Sequence, residues 1–183
     1  MSEKTVIRSA GAIAVRHERT GDAARVFEIQ ERAFGRAAEA VLVDALRERA
    51  RPVISFVAES RGQIVGHVLF SPVTVGQGAG ARAAMGLAPL AVDPVHQGLG
   101  VGSALARAGL EACRSAGHLV VVVLGSPAYY GRFGFEPATL HGLSYPGPAD
   151  PAFQVVSLEP GALAGFAGVA HYHPAFDEIE GMS

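Results

Sequence analysis

The feature that most constrains the fold is a glycine-rich turn between a strand-like segment and a helix-like segment. Gly98, Gly100 and Gly102 fall within five residues, directly before a stretch of good helix formers. A glycine inside a helix costs about 1 kcal/mol relative to alanine, so three at a helix start need a structural reason. Residues 83–93 before the turn are β-rich, and residues 119–124 after the helix are apolar throughout. This order predicts a βαβ unit with a right-handed crossover and two parallel strands.

The hydrophobic periodicity extends this unit into a mixed α/β sheet flanked by helices. Period-two stretches predict strands, helical spacing predicts two helices near the N-terminus, and Arg61-Gly62 joins two β-rich runs into a hairpin. Residues 137–151 are rich in proline and glycine and predict a long loop. The other predicted strands are 13–17, 53–60, 64–75, 153–158 and 168–172, and the two helices are 23–34 and 37–50.

Pro89 lies inside the predicted strand 83–93. Proline has no backbone N–H to give to a sheet ladder, so inside a strand it marks a bulge or a local parting of strands. Two interpretations follow. Either the strand boundary is misplaced, or the pairing is broken on purpose beside the helix that starts with glycines.

Composition places the chain among single-domain globular proteins. Its 183 residues are 49% apolar, which is ample for one core, so we expect an N-terminal tail over residues 1–11 and one domain over 12–183. The net charge of −2 favours neither nucleic acid nor a membrane surface as a partner. The lone Cys113 cannot form an internal disulfide, and no apolar run is long enough for a signal peptide or a membrane span. We therefore expect a cytoplasmic protein.

A helix that starts with glycines can bind an anion at its N-terminus. The first-turn N–H groups of a helix have no internal partner and lie at the positive end of its dipole. Glycine lets a phosphate approach these amides, which side chains would otherwise block. The spacing does not match G-x-G-x-x-G, and with Lys4 as the one lysine there is no P-loop lysine. Close packing of the helix on the sheet is the alternative explanation for the glycines.

Two motifs in this frame resemble the GNAT superfamily of N-acetyltransferases. The run QGLGVG at residues 97–102 fits Q/R-x-x-G-x-G/A, and YGRFGF at residues 130–135 fits Y-x-x-x-G-F after the next strand. The stretches IVGHVLFSPV, LAPLAVDP, PAYYGRFGF and YHPAF further resemble the branch called YhbS-like predicted acetyltransferases. The resemblance implies a GNAT-type acyl-CoA N-acyltransferase fold. In that fold two parallel strands of a central mixed β-sheet splay apart. The two motifs lie within residues 12–136, and YHPAF extends the resemblance through the loop and last strands at 137–183 to nearly the whole chain.

The resemblance also implies a reaction, the direct transfer of an acetyl group from acetyl-CoA to a primary amine of a small molecule or a protein. The pantetheine arm would lie along the splayed strand, the pyrophosphate on the glycine-rich turn, and Tyr130 would protonate the departing thiolate. Ser126 stands near the place of an asparagine that the family often has. The alternative role of Tyr130 is a core aromatic, and the alternative function is a non-catalytic acyl-CoA-binding or sensing module. The implied cofactor-binding residues are Leu90, Ala91, Val92, Gln97, Gly98, Leu99, Gly100, Val101, Gly102, Ser103 and Ser126.

The general base is not evident from the sequence. Residues 83–88 carry no carboxylate where some family members have a glutamate. Glu39 and His67 are candidates for contact with the amine, while a helix-dipole role for Glu39 and a satisfied sheet position for His67 are the ordinary alternatives. Residues 137–151 and the joint between the first two helices are predicted to wall the acceptor site.

No metal is predicted. His171 and His173 would share a strand face, but Pro174 ends that strand and no third ligand is suitably spaced. Acetyl-CoA and an amine acceptor are therefore the expected partners, with neither nucleic acid nor membrane. The sequence leaves open whether the protein forms a homodimer.

Overall fold

A mixed β-sheet with helices on both faces is the framework of the computed structural model, which describes residues 13–147 and 150–180. The predicted tail over residues 1–11 lies outside the described residues. The helices are α1 Ala23–Phe34, α2 Ala38–Arg49, α3 Val101–Ser115, α4 Pro127–Tyr130 and α5 Ala175–Glu180. The strands are β1 Ile13–His17, β2 Ile54–Ser60, β3 Gln63–Val75, β4 Arg82–Val92, β5 Val120–Leu124, β6 Glu136–Pro137, β7 Leu143–Ser144, β8 Phe153–Ser157 and β9 Gly168–His171.

The sheet contains the predicted βαβ unit. Its strands lie in the order β1-β2-β3-β4-β5-β8-β6, with β9 beside the end of β3 and paired with β7. Neighbours along that order are antiparallel except β4 and β5, which pair in parallel through Met85–Val121 and Gly86–Val122. Because α3 connects β4 to β5, the start of α3 lies at the end of β4. The predicted mixed sheet flanked by helices is confirmed.

The two parallel strands separate after a short paired stretch. Pairing of β4 with β5 covers residues 85–86, so among the described residues 87–92 of β4 have no partner on β5. On the other side, β3 shifts register between Val68 and Phe70, opposite Pro89. The strand itself runs on through Pro89, so the predicted boundary is right, and the proline sits where a bulge and a parting of strands coincide. Backbone groups of β4 are therefore open toward β5.

Helices pack on both faces of the sheet. On one face, α3 packs through Leu105 against Phe70 of β3. Gly109 makes this approach possible, because a Cβ there would lie 2.0 Å from the Phe70 ring. On the other face, α1 and α2 pack through buried aliphatic side chains such as Ile29 against a cluster that includes Ala91 of β4. β4 is therefore held from both sides close to where it parts from β5.

The C-terminal third differs from the prediction in two places. The segment predicted as a long loop holds a short 3-10 helix at Ala138–His141 and the two-residue strands β6 and β7. Strands this short leave no visible alternation in a sequence. The helix α5 is absent from the prediction because six residues are too few for a helical period. Asp177 and Glu178 in its first turn and Pro174 before it are nevertheless helix-start signals.

His171 and His173 do not gather further metal ligands. Within residues 13–147 and 150–180, no three His, Cys, Asp or Glu side chains are grouped so that they could hold a metal ion. The Nδ1 atom of His173 instead accepts a hydrogen bond of 3.2 Å from the backbone N–H of Ala175, at the start of α5. Within the same residues, the helices are all too short or too polar to cross a membrane.

Candidate active site

The three glycines at the start of α3 have two different structural roles. Gly98 has φ 73° and Gly100, the N-cap of α3, has φ 84°, a left-handed conformation that favours glycine. A Cβ on either of them would meet nothing within 4 Å. A Cβ on Gly102 would instead lie 2.6 Å from the hydroxyl oxygen of Tyr129. The first two glycines therefore leave open space above the helix start, and the third makes room for a tyrosine from α4.

A cavity of about 450 Å³ opens over this helix start. Its floor is the first turn of α3, whose backbone N–H groups have no partner within the helix, and one wall is the parted end of β4. Such a floor suits a phosphate, since open amides and the positive dipole end coincide. The lining residues are Leu90, Val92, His96, Gln97, Gly98, Gly100, Val101, Gly102, Ser103, Tyr129, Tyr130 and Arg132.

Three predicted cofactor-binding residues do not line this cavity. Ala91 is 1% exposed and packs on the face covered by α1 and α2, because successive side chains of a strand point to opposite faces. Leu99 is 66% exposed, and Ser126 is an exposed N-cap residue of α4. The cavity also includes His96, Tyr129 and Arg132, which the sequence analysis did not assign to it.

Hydrogen bonds hold the glycine-rich turn against the end of β4. The side-chain amide of Gln97 donates to the carbonyl of Val92 at 3.1 Å. The carboxylate of Asp93 is nearly buried and pairs at 3.1 Å with both Arg25 and Arg32 of α1. A buried carboxylate with two cationic partners makes a firm anchor. The turn is therefore fixed from the β4 side and from α1.

Tyr129 and Tyr130 occupy different positions although they are adjacent. Tyr129 approaches Gly102 and carries Arg132 over its ring, with the guanidinium carbon 4.7 Å from the ring centroid. The Tyr130 ring packs on Gly125, where a Cβ would lie 2.4 Å from it, and contacts Phe135 edge-on at 5.6 Å. Burial raises the pKa of Tyr130, so its hydroxyl keeps its proton at neutral pH. Tyr130 is thus both a core contact and a proton-bearing group at the cavity wall.

A second cavity of about 300 Å³ lies on the other side of Tyr130. Leu90 and Tyr130 line both cavities, so the two spaces adjoin at these side chains. The joint between α1 and α2 contributes to its wall, as does Tyr145 from the segment 137–151. The lining residues are Phe34, Glu39, Leu42, Leu87, Ala88, Pro89, Leu90, Leu124, Tyr130, Tyr145, Tyr172, Phe176 and Ile179.

Glu39 is the one charged side chain among the described residues that line the second cavity. It lies in the first turn of α2 and is 8% exposed. Arg36 donates to both of its carboxylate oxygens, over 2.6–3.2 Å, from outside the cavity. Its position therefore fits the helix-dipole role and also places a carboxylate at the cavity wall.

His67 lies away from both cavities. Its ring is fully buried between β3 and the α1–α2 face, with Nδ1 2.8 Å from the side-chain amide of Gln30 and Nε2 2.9 Å from the Ser55 hydroxyl. Glu18, which also bonds Ser55 and pairs with Arg47, lies 3.4 Å from the ring. The structure therefore places His67 in an internal polar network and not in contact with a substrate site.

This network makes stability depend on pH. Burial lowers the pKa of His67. Burial raises the pKa of Glu18, but hydrogen bonds with His67 and Ser55 and the charge of Arg47 lower it more strongly, to about 2. A group whose pKa is lower in the folded state binds fewer protons there, so acid favours unfolding.

We expect the free energy of unfolding to fall as pH drops from about 7 to about 5, with a slope of up to about 1.4 kcal/mol per pH unit from His67 alone. Glu18 adds a further loss below its ordinary pKa, as pH approaches about 2. Urea unfolding of wild type and of His67→Gln measures the slope, and the variant should be flatter between pH 7 and 5. His171→Gln, which changes an exposed histidine on β9, is the control. Equal slopes in wild type and His67→Gln would contradict the assignment.

Comparison of the sequence with known proteins gives the same family throughout. The model of the acetyltransferase (GNAT) domain matches residues 14–138. Over 161 residues the chain is 42% identical to "Uncharacterized N-acetyltransferase YhbS" of Escherichia coli (strain K12), covering 86% of this chain and 95% of that protein. Over 129 residues it is 44% identical to "Uncharacterized N-acetyltransferase YjhQ" of the same strain, covering 69% and 71%.

Solved structures give the same result for the fold. The crystal structure of YhbS from Escherichia coli in complex with CoA superposes with a TM-score of 0.84 at 39% identity, covering 92% of this chain and 94% of that one. A GNAT family acetyltransferase from Brucella melitensis in complex with acetyl-CoA gives a TM-score of 0.74 at 36% identity, covering 91% and 99%. The predicted fold class is confirmed. Since the domain model and these relatives match most of its length, the chain belongs to the GNAT acetyltransferase family, a family of acyltransferases.

Proposed function

We propose that the protein transfers an acetyl group from acetyl-CoA directly to a primary amine of a small molecule or a protein. The observation that carries this proposal is the position of Tyr130, which lines both the cavity over the glycine-rich turn and the apolar cavity beside it. One cavity would hold the acetyl-CoA and the other the amine. The acetyl group would then pass from sulfur to nitrogen at the junction of the two cavities.

The first cavity has what acetyl-CoA requires. The open amides of the α3 start suit the pyrophosphate, and the parted end of β4 offers unpaired backbone groups to the amides of the pantetheine arm. Leu90 and Val92 contribute side chains to this cavity, whereas Ala91 would contribute its backbone alone. Structures of two relatives hold CoA and acetyl-CoA, which supports the same assignment here.

The junction provides a proton for the leaving group. The neutral amine nitrogen attacks the thioester carbonyl carbon, the C–S bond breaks, and the CoA thiolate takes the proton of the Tyr130 hydroxyl. The proton that the nitrogen loses as it becomes an amide then passes to the Tyr130 oxygen and restores its hydroxyl. A backbone N–H of the open β4 segment would stabilise the negative charge that develops on the carbonyl oxygen, as oxyanion-hole donors do. The amine must arrive without its own proton, and burial in an apolar cavity lowers the pKa of an ammonium group. Glu39 would hold the amine nitrogen at the cavity wall before and during the attack.

We further propose that residues 12–183 act as one domain in the cytoplasm. Cys113 is buried, and burial raises the pKa of its thiol to about 12, which fits a structural role. As the one cysteine of the sequence it has no partner for an internal disulfide, which fits a reducing compartment.

The direct test is release of free CoA thiol from acetyl-CoA in the presence of a panel of primary amines. We expect thiol release that needs both acetyl-CoA and an amine, and that survives a strong chelator. Acetyl-CoA should also raise the melting temperature, because a ligand that prefers the folded state stabilises it. A rise in melting temperature without amine-dependent thiol release on any member of the panel would contradict the enzyme and support the acyl-CoA-binding module.

A further inference from the structure

We infer that the acceptor is a small primary amine joined by a short apolar chain to an aromatic ring, with the nitrogen held at Glu39. The inference rests on the proposed function, because it assigns the second cavity to the acceptor. Three observations carry it: the rings that line this cavity, the distribution of charge around it and its size.

Part of the cavity wall is made of aromatic rings that contact one another edge-on. Tyr172 packs edge-on against Tyr145, with ring centroids 5.7 Å apart at 72°, and against Phe176 at 5.0 Å and 64°. Rings in this arrangement offer faces and edges to a further ring, which aromatic side chains favour over other apolar contacts. Gly86 makes the wall possible, because a Cβ there would lie 2.7 Å from the Tyr172 ring. The sequence thus keeps a glycine in β4 where a ring must fit.

The charge distribution selects one ammonium group and no other charge. Glu39 is the single charged residue among the described lining residues, and Arg36, its partner, approaches from outside. A second ammonium group of a polyamine would be buried among apolar side chains without a carboxylate. The carboxylate of an amino acid would be buried without a cation. Either arrangement leaves a charge unpaired in an apolar space, which is costly.

The size and origin of the cavity favour a small molecule. Its volume of about 300 Å³ is at the lower end of small-molecule sites. Tyr145, Tyr172, Phe176 and Ile179 close it, and all four lie after residue 138, where the match to the family's domain model ends. Selection of the ring is therefore a property of the C-terminal part of this chain, whereas Glu39 in α2 selects the ammonium group.

Steady-state thiol release from acetyl-CoA tests the inference on matched amines. The reference amine is phenethylamine. Cyclohexylethylamine has a similar shape but no π-system, phenylalanine carries an additional carboxylate, and putrescine carries a second ammonium group and no ring. We expect kcat/KM for phenethylamine to exceed that of each of the other three by about tenfold or more. A higher value for putrescine or phenylalanine would overturn the charge argument. Equal values for phenethylamine and cyclohexylethylamine would overturn the ring argument. Failure of every amine to release thiol would overturn the proposed function itself.

Variants separate the contribution of Glu39 from that of the rings. Glu39→Gln should raise KM for phenethylamine about tenfold with little change in kcat, since it removes binding that is equal in ground and transition states. Its thermal shift with acetyl-CoA should remain that of wild type. The control is Glu178→Gln, because Glu178 also holds an arginine through both oxygens, at 2.7 Å from Arg49, but lines neither cavity. Equal KM values in wild type and Glu39→Gln would contradict the assignment.

Phe176→Leu tests the ring wall with the apolar character retained. The variant should lower the preference for phenethylamine over cyclohexylethylamine by severalfold, while both amines continue to react. An unchanged preference would show that the ring wall does not select the acceptor.

Discussion

Tyr130→Phe is expected to lower kcat by about tenfold or more while the dissociation constant of acetyl-CoA stays that of wild type. The substitution removes one oxygen and keeps the ring, so the contacts of Tyr130 with Gly125 and Phe135 remain. If Tyr130 protonates the departing thiolate, its hydroxyl acts in the transition state alone. Initial rates of thiol release with saturating amine give kcat, and melting temperatures against acetyl-CoA concentration give the dissociation constant.

The pH dependence and a neighbouring variant sharpen this test. Burial keeps the Tyr130 hydroxyl protonated across neutral pH, so wild type retains its acid there. The defect of Tyr130→Phe should shrink as pH rises toward the ordinary thiol pKa of about 8.5, because the thiolate then leaves without assistance. Tyr129→Phe should act mainly on acetyl-CoA binding, since the Tyr129 hydroxyl lies at Gly102 in the first cavity. If Tyr130→Phe has the kcat of wild type across neutral pH, Tyr130 is not the proton donor and its role is structural.

Gly100→Val is expected to abolish the stabilisation of the protein by acetyl-CoA. In wild type, acetyl-CoA at about 100 times its dissociation constant should stabilise the fold by about 2.7 kcal/mol, or roughly 5–10 °C in melting temperature. The valine side chain would occupy the open space above the α3 amides and exclude the phosphates. Melting curves with and without acetyl-CoA measure the effect.

Backbone strain is the competing cause in that experiment, and Gly117→Val controls for it. Gly117 has φ 82° against 84° for Gly100, and a Cβ on either would meet nothing within 4 Å. The two glycines flank opposite ends of α3. Because valine is strained at a positive φ, both variants should have a lower melting temperature than wild type. Gly117→Val should keep the full shift with acetyl-CoA. If Gly100→Val keeps it as well, the glycines serve the fold and not phosphate binding.

The parts of the fold that the sequence predicted are those specified by nearby residues. The βαβ unit follows from a β-rich run, a helix and an apolar run in order, and Gly35 and Gly117 end their helices in left-handed conformations. The glycine-rich turn is also local, which is why most of the lining of the first cavity was predicted. The Ala91 side chain lies outside that cavity because the alternation along β4 puts it on the opposite face from Leu90, and this alternation is visible in the sequence.

The second cavity depends on contacts between residues distant in the sequence. Its lining comes from α1, α2, β4, β5, α4, the segment that contains Tyr145, and the C-terminal residues around α5. No short sequence pattern predicts that these rings form one wall, or that Glu39 is the one charged side chain among the described lining residues. The Y-x-x-x-G-F motif pointed to Tyr130, but it did not show that Tyr129 also lines the first cavity, because adjacent residues of a one-turn helix differ only in the direction of their side chains. His67 could have been assigned to either face of β3, and its buried network is set by Gln30 and Glu18 from other elements.

The central claim is that the acetyl group passes directly between two cavities that meet at Tyr130. Mass spectrometry after incubation with isotopically labelled acetyl-CoA and an amine that supports thiol release tests it most directly. The claim predicts one labelled acetyl group on the amine nitrogen for each thiol released, and no labelled acetyl group retained by the protein when the amine is omitted. A labelled acetyl group on a protein side chain that later moves to the amine, or thiol release without labelled amine, would contradict it.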